Sequence, residues 1–584
     1  MIKRAYPLFW GHQFNLATLL SLSVFTYFTM FSNSASAALA MNTEAAPNKP
    51  NAHYLTNVNG YTLNGDGELI RFSEIYIEND KVMAIGEELN KVQSVQHTIP
   101  RDMKQATMIP GLIDAHGHIL GLGENLVQVD LRGTQSEQEA VERIKAHISS
   151  RDSNGEWIIG RGWNQVLWPN QQFPSKASLD EAFPDRPVML SRVDGHADWV
   201  NSKALSLAGI DNNTPSPSGG EIVKDENGEP TGLLIDNASY LVFEKRPLPT
   251  IEDKTYQLQL ASQHLLSLGI TSAHDAGISE AVRALYIKQA KNEDLDFRIY
   301  AMLSATDPNI TDMLAQGHFQ DEAGFLSIRS VKAYGDGALG SRGAALLAPY
   351  SDDPDNVGLL VTAEERLPML FNSVIGAGFQ LNFHAIGDRA NRLALEQFNR
   401  SFKNFQENPG RHRIEHAQVV AVEDIPLFKE YGVIPSMQPT HATSDMNMAE
   451  ARLGIARLRG AYAWQTFLKQ GSIIAFGSDF PVELANPFHG LHAAVTRQDA
   501  NQQPAEGWIK EESVTRAQAF KGFTIDAAYA AFQEDMIGSL APGKKADFVI
   551  IDRDIFEVDA SLIRDTQVIE TWVNGQQKYA KTPQ

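Results

Sequence analysis

The chain has no cysteine in 584 residues. That absence excludes disulfides, thiolate metal sites, a cysteine nucleophile and a lipid attached through a lipobox cysteine. Any metal must then be held by His, Asp, Glu or a modified Lys. Basic residues are also scarce: 50 Lys and Arg against 71 Asp and Glu give a formal net charge of −21. This balance argues against nucleic acid or an anionic membrane surface as a partner, and mainly serves solubility. Internal repeats and low-complexity tracts are missing too, so repeat architectures drop out. What is present is 43% hydrophobic and 9% aromatic residues, enough for a soluble globular protein with an ample core. The length exceeds one small domain but suits a single enzyme barrel with insertions.

The N-terminus reads as a targeting segment. Lys3 and Arg4 precede a largely apolar stretch from Leu16 to Met30, with no acidic residue before Glu44. Small residues follow at Ala35-Ser36-Ala37 and Ala38-Leu39-Ala40. This pattern predicts a signal peptide over residues 1–37 and an exported, periplasmic or secreted product. The competing reading is an uncleaved anchor, since the apolar run nears spanning length. Polar breaks at Ser21, Ser23 and Thr26 favour cleavage, with no stable membrane insertion afterwards.

Short strand-and-turn patterns fill residues 52–108, among them Ile75-Tyr76-Ile77 and the Asn64-Gly65-Asp66-Gly67 turn. The same character returns over 537–584, in Phe548-Val549-Ile550-Ile551 and Val568-Ile569-Glu570-Thr571-Trp572-Val573. Both ends together predict a small composite β-sandwich domain. Between them, residues 109–536 alternate strand-like and helix-like segments, the signature of βα units around a parallel sheet. The fold class expected is α/β, a (β/α)8 TIM-like barrel, with an insertion at about 130–245.

The chemistry starts at Gly111-Leu112-Ile113-Asp114-Ala115-His116-Gly117-His118. On an extended strand, residues i and i+2 share a face, so His116 and His118 make half of a transition-metal site. Alone, the pair is a weak signal. Four more candidates follow plausible strands: Lys332, His384, His416 and Asp479. Their strand order in a barrel is 1, 1, 4, 5, 6 and 8, and barrel enzymes form their sites at these C-terminal strand ends. Two divalent cations need about this many ligands and an anionic bridge. Lys332 serves as that bridge if its amine takes up carbon dioxide as a carbamate, N6-carboxylysine. Burial frees the neutral amine for that reaction. Asp479 fits both as ligand and as proton acceptor.

These residues sit in motifs that resemble the amidohydrolase superfamily, specifically its family-3 branch of N-substituted formamide deformylase-like enzymes. The motifs are Pro110 to His118, Val331-Lys332-Ala333-Tyr334-Gly335-Asp336-Gly337, Asn382-Phe383-His384-Ala385-Ile386-Gly387-Asp388, Arg413-Ile414-Glu415-His416 and Gly477-Ser478-Asp479-Phe480-Pro481. Coverage runs from about residue 52 to 580. The resemblance implies His116 and His118 on a more buried metal and His384 and His416 on a more exposed one. It further implies Lys332 as the bridge and Asp479 as metal ligand and proton shuttle. Zinc is the default for such donors, with one or two ions bound.

Other residues compete for roles. His196 and His441 are candidates for binding substrate or stabilising an oxyanion, and His441 also for orienting Asp479. His274 is read at the end of a third strand, as a substrate contact or a buried hydrogen-bonding residue. His147, His264 and His412 read as ordinary core or surface histidines, and His489 and His492 as structural. Trp163 and Trp168 pack the insertion or line a pocket, Arg342 makes a salt bridge or binds an anion, and Ser351 to Asp355 forms a solvated loop. Asp114 belongs to the architecture of its motif.

The resulting expectation is hydrolysis of an amide-type C–N bond, not a peptide bond, in a small-molecule substrate by metal-activated hydroxide. A cyclic amide, carbamate or ester is the alternative within enzymes. A non-catalytic exported metal- or ligand-binding protein is the alternative outside them. Homo-oligomerisation is left open.

Overall fold

The computed structural model describes residues 51–149, 157–192, 196–405 and 410–582. The signal-peptide expectation at 1–37 lies outside them. Among the described residues, no helix is long and apolar enough to cross a membrane.

Eight strands form the central parallel sheet, and we number them in chain order: β1 (Leu112–Gly117), β2 (Ile270–Ile278), β3 (Arg298–Ser304), β4 (Leu326–Tyr334), β5 (Gln380–Ala385), β6 (Arg413–His416), β7 (Ile434–Met437) and β8 (Ala475–Phe476). Each pairs in parallel with the next. These strands are short apolar runs because a sheet covered by helices is buried on both faces. All six residues of β1 are buried. The covering helices show the complementary pattern. In the helix Asp388–Asn404, Ala390, Ala394, Leu395 and Phe398 are buried while Arg389, Glu396 and Arg400 are not. That spacing is the 3.6-residue period of an amphipathic helix.

The barrel closes between its first strand and the segment after its last. Gly117 bridges Phe480, the His116 carbonyl accepts the Asp479 N–H at 2.7 Å, and the Phe480 carbonyl accepts the His118 N–H at 2.7 Å. Asp114 locks this seam: it accepts the Ser478 hydroxyl at 2.6 Å, the Ser478 N–H and the His116 N–H. A Cβ at Gly477 would lie 2.5 Å from the His116 nitrogen and 2.7 Å from Asp114 Oδ1, so only glycine fits beside the lock.

The strands between Val129 and Asp236 do not join the barrel. They make their own six-stranded sheet over a core with Trp163, Trp168 and Trp199. This corrects the position of His274: its strand is the second of the barrel, and the residue sits within it rather than at its end. Both chain ends build two further sheets, one of four strands and one of six. Leu55, Ile75, Met108, Phe548 and Trp572 share their core. A buried pair ties this unit to the barrel, Arg298 of β3 meeting Asp547 through contacts of 2.6 and 2.9 Å.

Candidate metal centre

Seven side chains meet at the C-terminal mouth of the barrel. His116 comes from β1, Lys332 from β4, His384 from β5 and His416 from the end of β6. His118 stands just past β1, Asp479 just past β8, and His441 in the first turn of the helix Pro439–Leu453 that follows β7. Regular alternation on β6 would send His416 outward, because Arg413 and Glu415 already face the barrel interior. The backbone turns it: His416 has φ +74°, and Asp479 has φ +62°. A left-handed backbone is strained for non-glycine residues and persists where the surroundings hold it, often at functional sites.

The tightest group is His116, His416 and Asp479, each with a donor atom within 4.8 Å of the others. Asp479 Oδ1 lies 3.2 Å from His118 Nε2 and 3.6 Å from His116 Nε2, and its Oδ2 lies 3.7 Å from His441 Nε2. The His384 ring centre is 4.6 Å from that of His416. Lys332 Nζ is 3.3 Å from His116 Nε2. His116 is fully buried, and the His118 side chain, on the residue that precedes the helix Ile119–Val127, is 37% exposed.

Hydrogen bonds from behind set the histidine tautomers. His116 Nδ1 donates to Glu415 Oε2 at 2.5 Å, and His416 Nδ1 donates to Gln438 Oε1 at 2.8 Å. The Gln438 amide orientation follows from its N–H to the Ser436 carbonyl. With Nδ1 protonated, both Nε2 lone pairs face the cluster. A carboxylate or amide behind an imidazole is the usual support of a metal-binding histidine. Glu415 is in turn held by Arg413, whose Nε stands 2.8 Å from Oε1 and which also contacts His274 Nδ1 at 2.9 Å.

The charges follow this arrangement. Burial lowers His116 to about 4, helped by the Lys332 charge against Glu415, and lowers His384 to about 3. Burial also lowers Lys332, opposed by the charges of Glu415 and Asp479. For Asp479, burial acts upward, but the His118 hydrogen bond and the neighbouring histidines hold the carboxyl well below its ordinary range. The site therefore keeps neutral imidazoles beside an ionised carboxylate.

This donor set suits a divalent cation. His384 Nε2 and His441 Nε2 are buried without a hydrogen-bond partner among the described residues. Such orphaned groups are costly unless something they bind occupies the space between them. Lys332 is 1% exposed and has no carboxylate oxygen within ion-pair distance among the described residues, so its ammonium form is compensated only at longer range by Glu415 and Asp479. The donors open into a cavity of about 390 Å³ whose wall includes Tyr334, Gln418, Asp445 and Glu483.

The remaining sequence candidates lie elsewhere. His196 does not reach this cavity: its side chain is 75% exposed on the insertion sheet, 2.7 Å from Asp236. His274 is buried against Arg413 and is a hydrogen-bonding residue. The Trp163 and Trp168 indoles donate to the Leu190 and Thr134 carbonyls inside the insertion core. Arg342 pairs with Asp352, which also binds Arg452, so the acidic loop is anchored rather than merely solvated. Glu415 and Gln438 were not singled out from sequence. Charged residues at alternate positions of a strand buried on both faces, Arg413 and Glu415, were the available signal.

Comparison with known proteins places residues 101–579 in a match to the amidohydrolase family. The chain is 33% identical over 538 residues to the protein LONG AFTER FAR-RED 3 of Arabidopsis thaliana, covering 89% of this chain and 91% of that one. It is 25% identical over 494 residues to the N-substituted formamide deformylase of Arthrobacter pascens, covering 82% and 90%. The crystal structure of an uncharacterized metal-dependent hydrolase from Pyrococcus furiosus is similar with a TM-score of 0.71 and 29% identity, over 87% of this chain and all of that one.

Proposed function

The chain belongs to the amidohydrolase family, and from that premise we propose that this hydrolase cleaves an amide-type C–N bond outside peptides. The observation that carries the reading is the convergence of buried, tautomer-fixed imidazoles and an ionised Asp479 on one cavity. His116, His118, His384, His416 and Asp479 would hold one or two divalent cations, with zinc the best match to the donors and Lys332 as a carbamate bridge. Bound there, such cations supply Lewis acidity and a water of lowered pKa.

The chain's own groups carry the rest. Asp479 accepts the proton of the attacking water and returns it to the leaving nitrogen. Glu415 and Gln438 keep His116 and His416 from rotating. His441, whose Nε2 faces the cavity beside Asp479, donates to the oxygen that gains charge as the carbonyl is attacked. His196, exposed beside Asp236 on the insertion sheet, is given no part in this reading. The deformylase among the relatives supports a formamide or similar amide as the place to begin.

The decisive experiment combines metal analysis with a panel of formyl-amines, acyl-amino acids and anilides. The wild-type protein should bind metal and hydrolyse at least one class. Asp479→Asn should retain metal and lose at least about 10²-fold in turnover, the scale of a positioned proton acceptor. Near-normal turnover would remove Asp479 from that role, and metal binding without hydrolysis of any member would favour a binding protein. Export is a separate proposal resting on the N-terminal pattern, checked by sequencing the N-terminus of the mature protein.

A further inference from the structure

The wall of the cavity beyond the metal donors is unusual in charge. Its carboxylates are Asp445 and Glu483, together with Asp479, and among the described lining residues Lys332 is the only Lys or Arg. Asp445 and His441 lie on the same helix four residues apart, so they share a face and are separated by about 6 Å along the axis. Glu483 stands four residues beyond Asp479 and is clipped to that helix by the Ser444 hydroxyl at 2.6 Å. His441 and Asp479 thus each have a carboxylate one step further out.

Both carboxylates are held but not neutralised. Asp445 Oδ2 accepts from Gln418 Nε2 at 2.6 Å and from the buried Tyr462 hydroxyl at 2.7 Å. Glu483 Oε1 accepts from Ser444. Among the described residues, Asp445 Oδ1 and Glu483 Oε2 accept no hydrogen bond, and neither carboxylate has a cationic partner. That the cavity takes a ligand rests on separate ground: the Nε2 atoms of His384 and His441, both in its wall, are buried without a hydrogen-bond partner among the described residues. Ala338, Leu339, Ile386 and Val482 supply small and apolar wall between.

We propose that the substrate carries a positive charge, an ammonium or guanidinium, about one helical turn from the scissile bond and received by Asp445 and Glu483. A substrate with a carboxylate at that place meets repulsion and no Arg or Lys to bind it. A neutral substrate leaves two partly desolvated carboxylates without a counter-charge, which costs binding. The formal charge of −21 adds a field that draws cations to the protein.

This inference rests on the hydrolase reading, and its test separates the two. Three substrates of equal length are compared on the metal-loaded enzyme: N-formyl-1,4-diaminobutane, N-formylpentylamine and N-formyl-4-aminobutanoate, with the acetyl series in parallel. The cationic member should exceed the neutral one by at least about tenfold in kcat/KM, the effect of one modest ion pair, and the anionic member should be slowest. In Asp445→Asn and Glu483→Gln, the cation-to-neutral ratio within each variant should fall toward one.

Binding is measured independently, as the change in melting temperature with pentylammonium, pentanol or pentanoate. Only pentylammonium should stabilise the wild type, and its effect should shrink in both variants. Turnover with no charge preference would overturn this proposal and leave the hydrolase reading intact. Ammonium-selective stabilisation that both variants lose, with no turnover of any substrate, would do the reverse. Stabilisation by pentanoate, or an ammonium effect unchanged in both variants, overturns it outright.

Discussion

Two arginine–carboxylate pairs are buried in this barrel, and they do different things. Arg298 and Asp547, 0% and 4% exposed, form a closed set. The guanidinium also reaches the Gly324 carbonyl and the Asn574 side chain, while Asp547 Oδ1 accepts the Asn574 N–H. Every direction is used, and the pair joins β3 to the terminal β unit. Arg413 and Glu415, both 0% exposed, form an open set. Glu415 passes one oxygen to His116, whose other nitrogen faces the cavity. Burial acts upward on the Glu415 carboxyl, but the Arg413 charge and His116 hold it below the ordinary range. The same chemical pair is structural where its bonds close on themselves and functional where one bond leads to a ligand.

Removing one partner should separate the two cases. Asp547→Ala strands a buried guanidinium and should cost about 3–5 kcal/mol of stability, read from urea midpoints, with metal stoichiometry unchanged in the folded fraction. A loss of metal at equal folding would merge the two sets. Glu415→Gln, by contrast, should lower metal affinity by about 10–100-fold in a chelator competition, with a much smaller fall in melting temperature of the apoprotein. Equal metal affinity would make Arg413–Glu415 a second structural pair.

His412 sharpens the comparison as a buried polar group with no ionic partner. It packs between Phe398 and Phe402, and its Nδ1 accepts the Leu381 N–H at 2.9 Å. Burial lowers it to about 3 from the 6.5 of an exposed histidine. Because the folded value is the lower one, its stabilisation is complete above pH 6.5 and is lost as pH falls toward 3. The loss should approach about 1.4 kcal/mol per pH unit in that window. His412→Phe should flatten the urea-midpoint profile between pH 6.5 and 4 by up to that slope; an unchanged profile would assign the titration elsewhere. The smallest effect belongs to the exposed pair Arg342–Asp352, where Arg342→Gln should leave melting temperature and metal content unresolved from wild type.

Much of the barrel was legible because a strand buried on both faces and an amphipathic helix have different periods. The motif around His116 was legible only together with Lys332, His384, His416 and Asp479, because a lone pair of histidines on a strand is a weak signal. The backbone flip at His416 was not, since strict alternation sends that side chain away from the site. Nor was the placement of His196. Its distance from the cavity depends on how the insertion sheet packs, and no local pattern encodes that. Glu415 was visible as a residue and hidden as a role, because its strand is not a neighbour of the one carrying His116, and the two side chains meet only across the interior of the closed barrel.

The Asp114 lock has a consequence for the order of events in the cell. Ser478 is made 364 residues after Asp114, and synthesis proceeds at about 5–20 residues per second. For tens of seconds the first histidines exist without the last carboxylate. No complete metal pocket can form before Asp479 has emerged, so full loading would follow closure of the seam. Metal uptake would then report the closed barrel, and by binding only that state it would hold the seam shut.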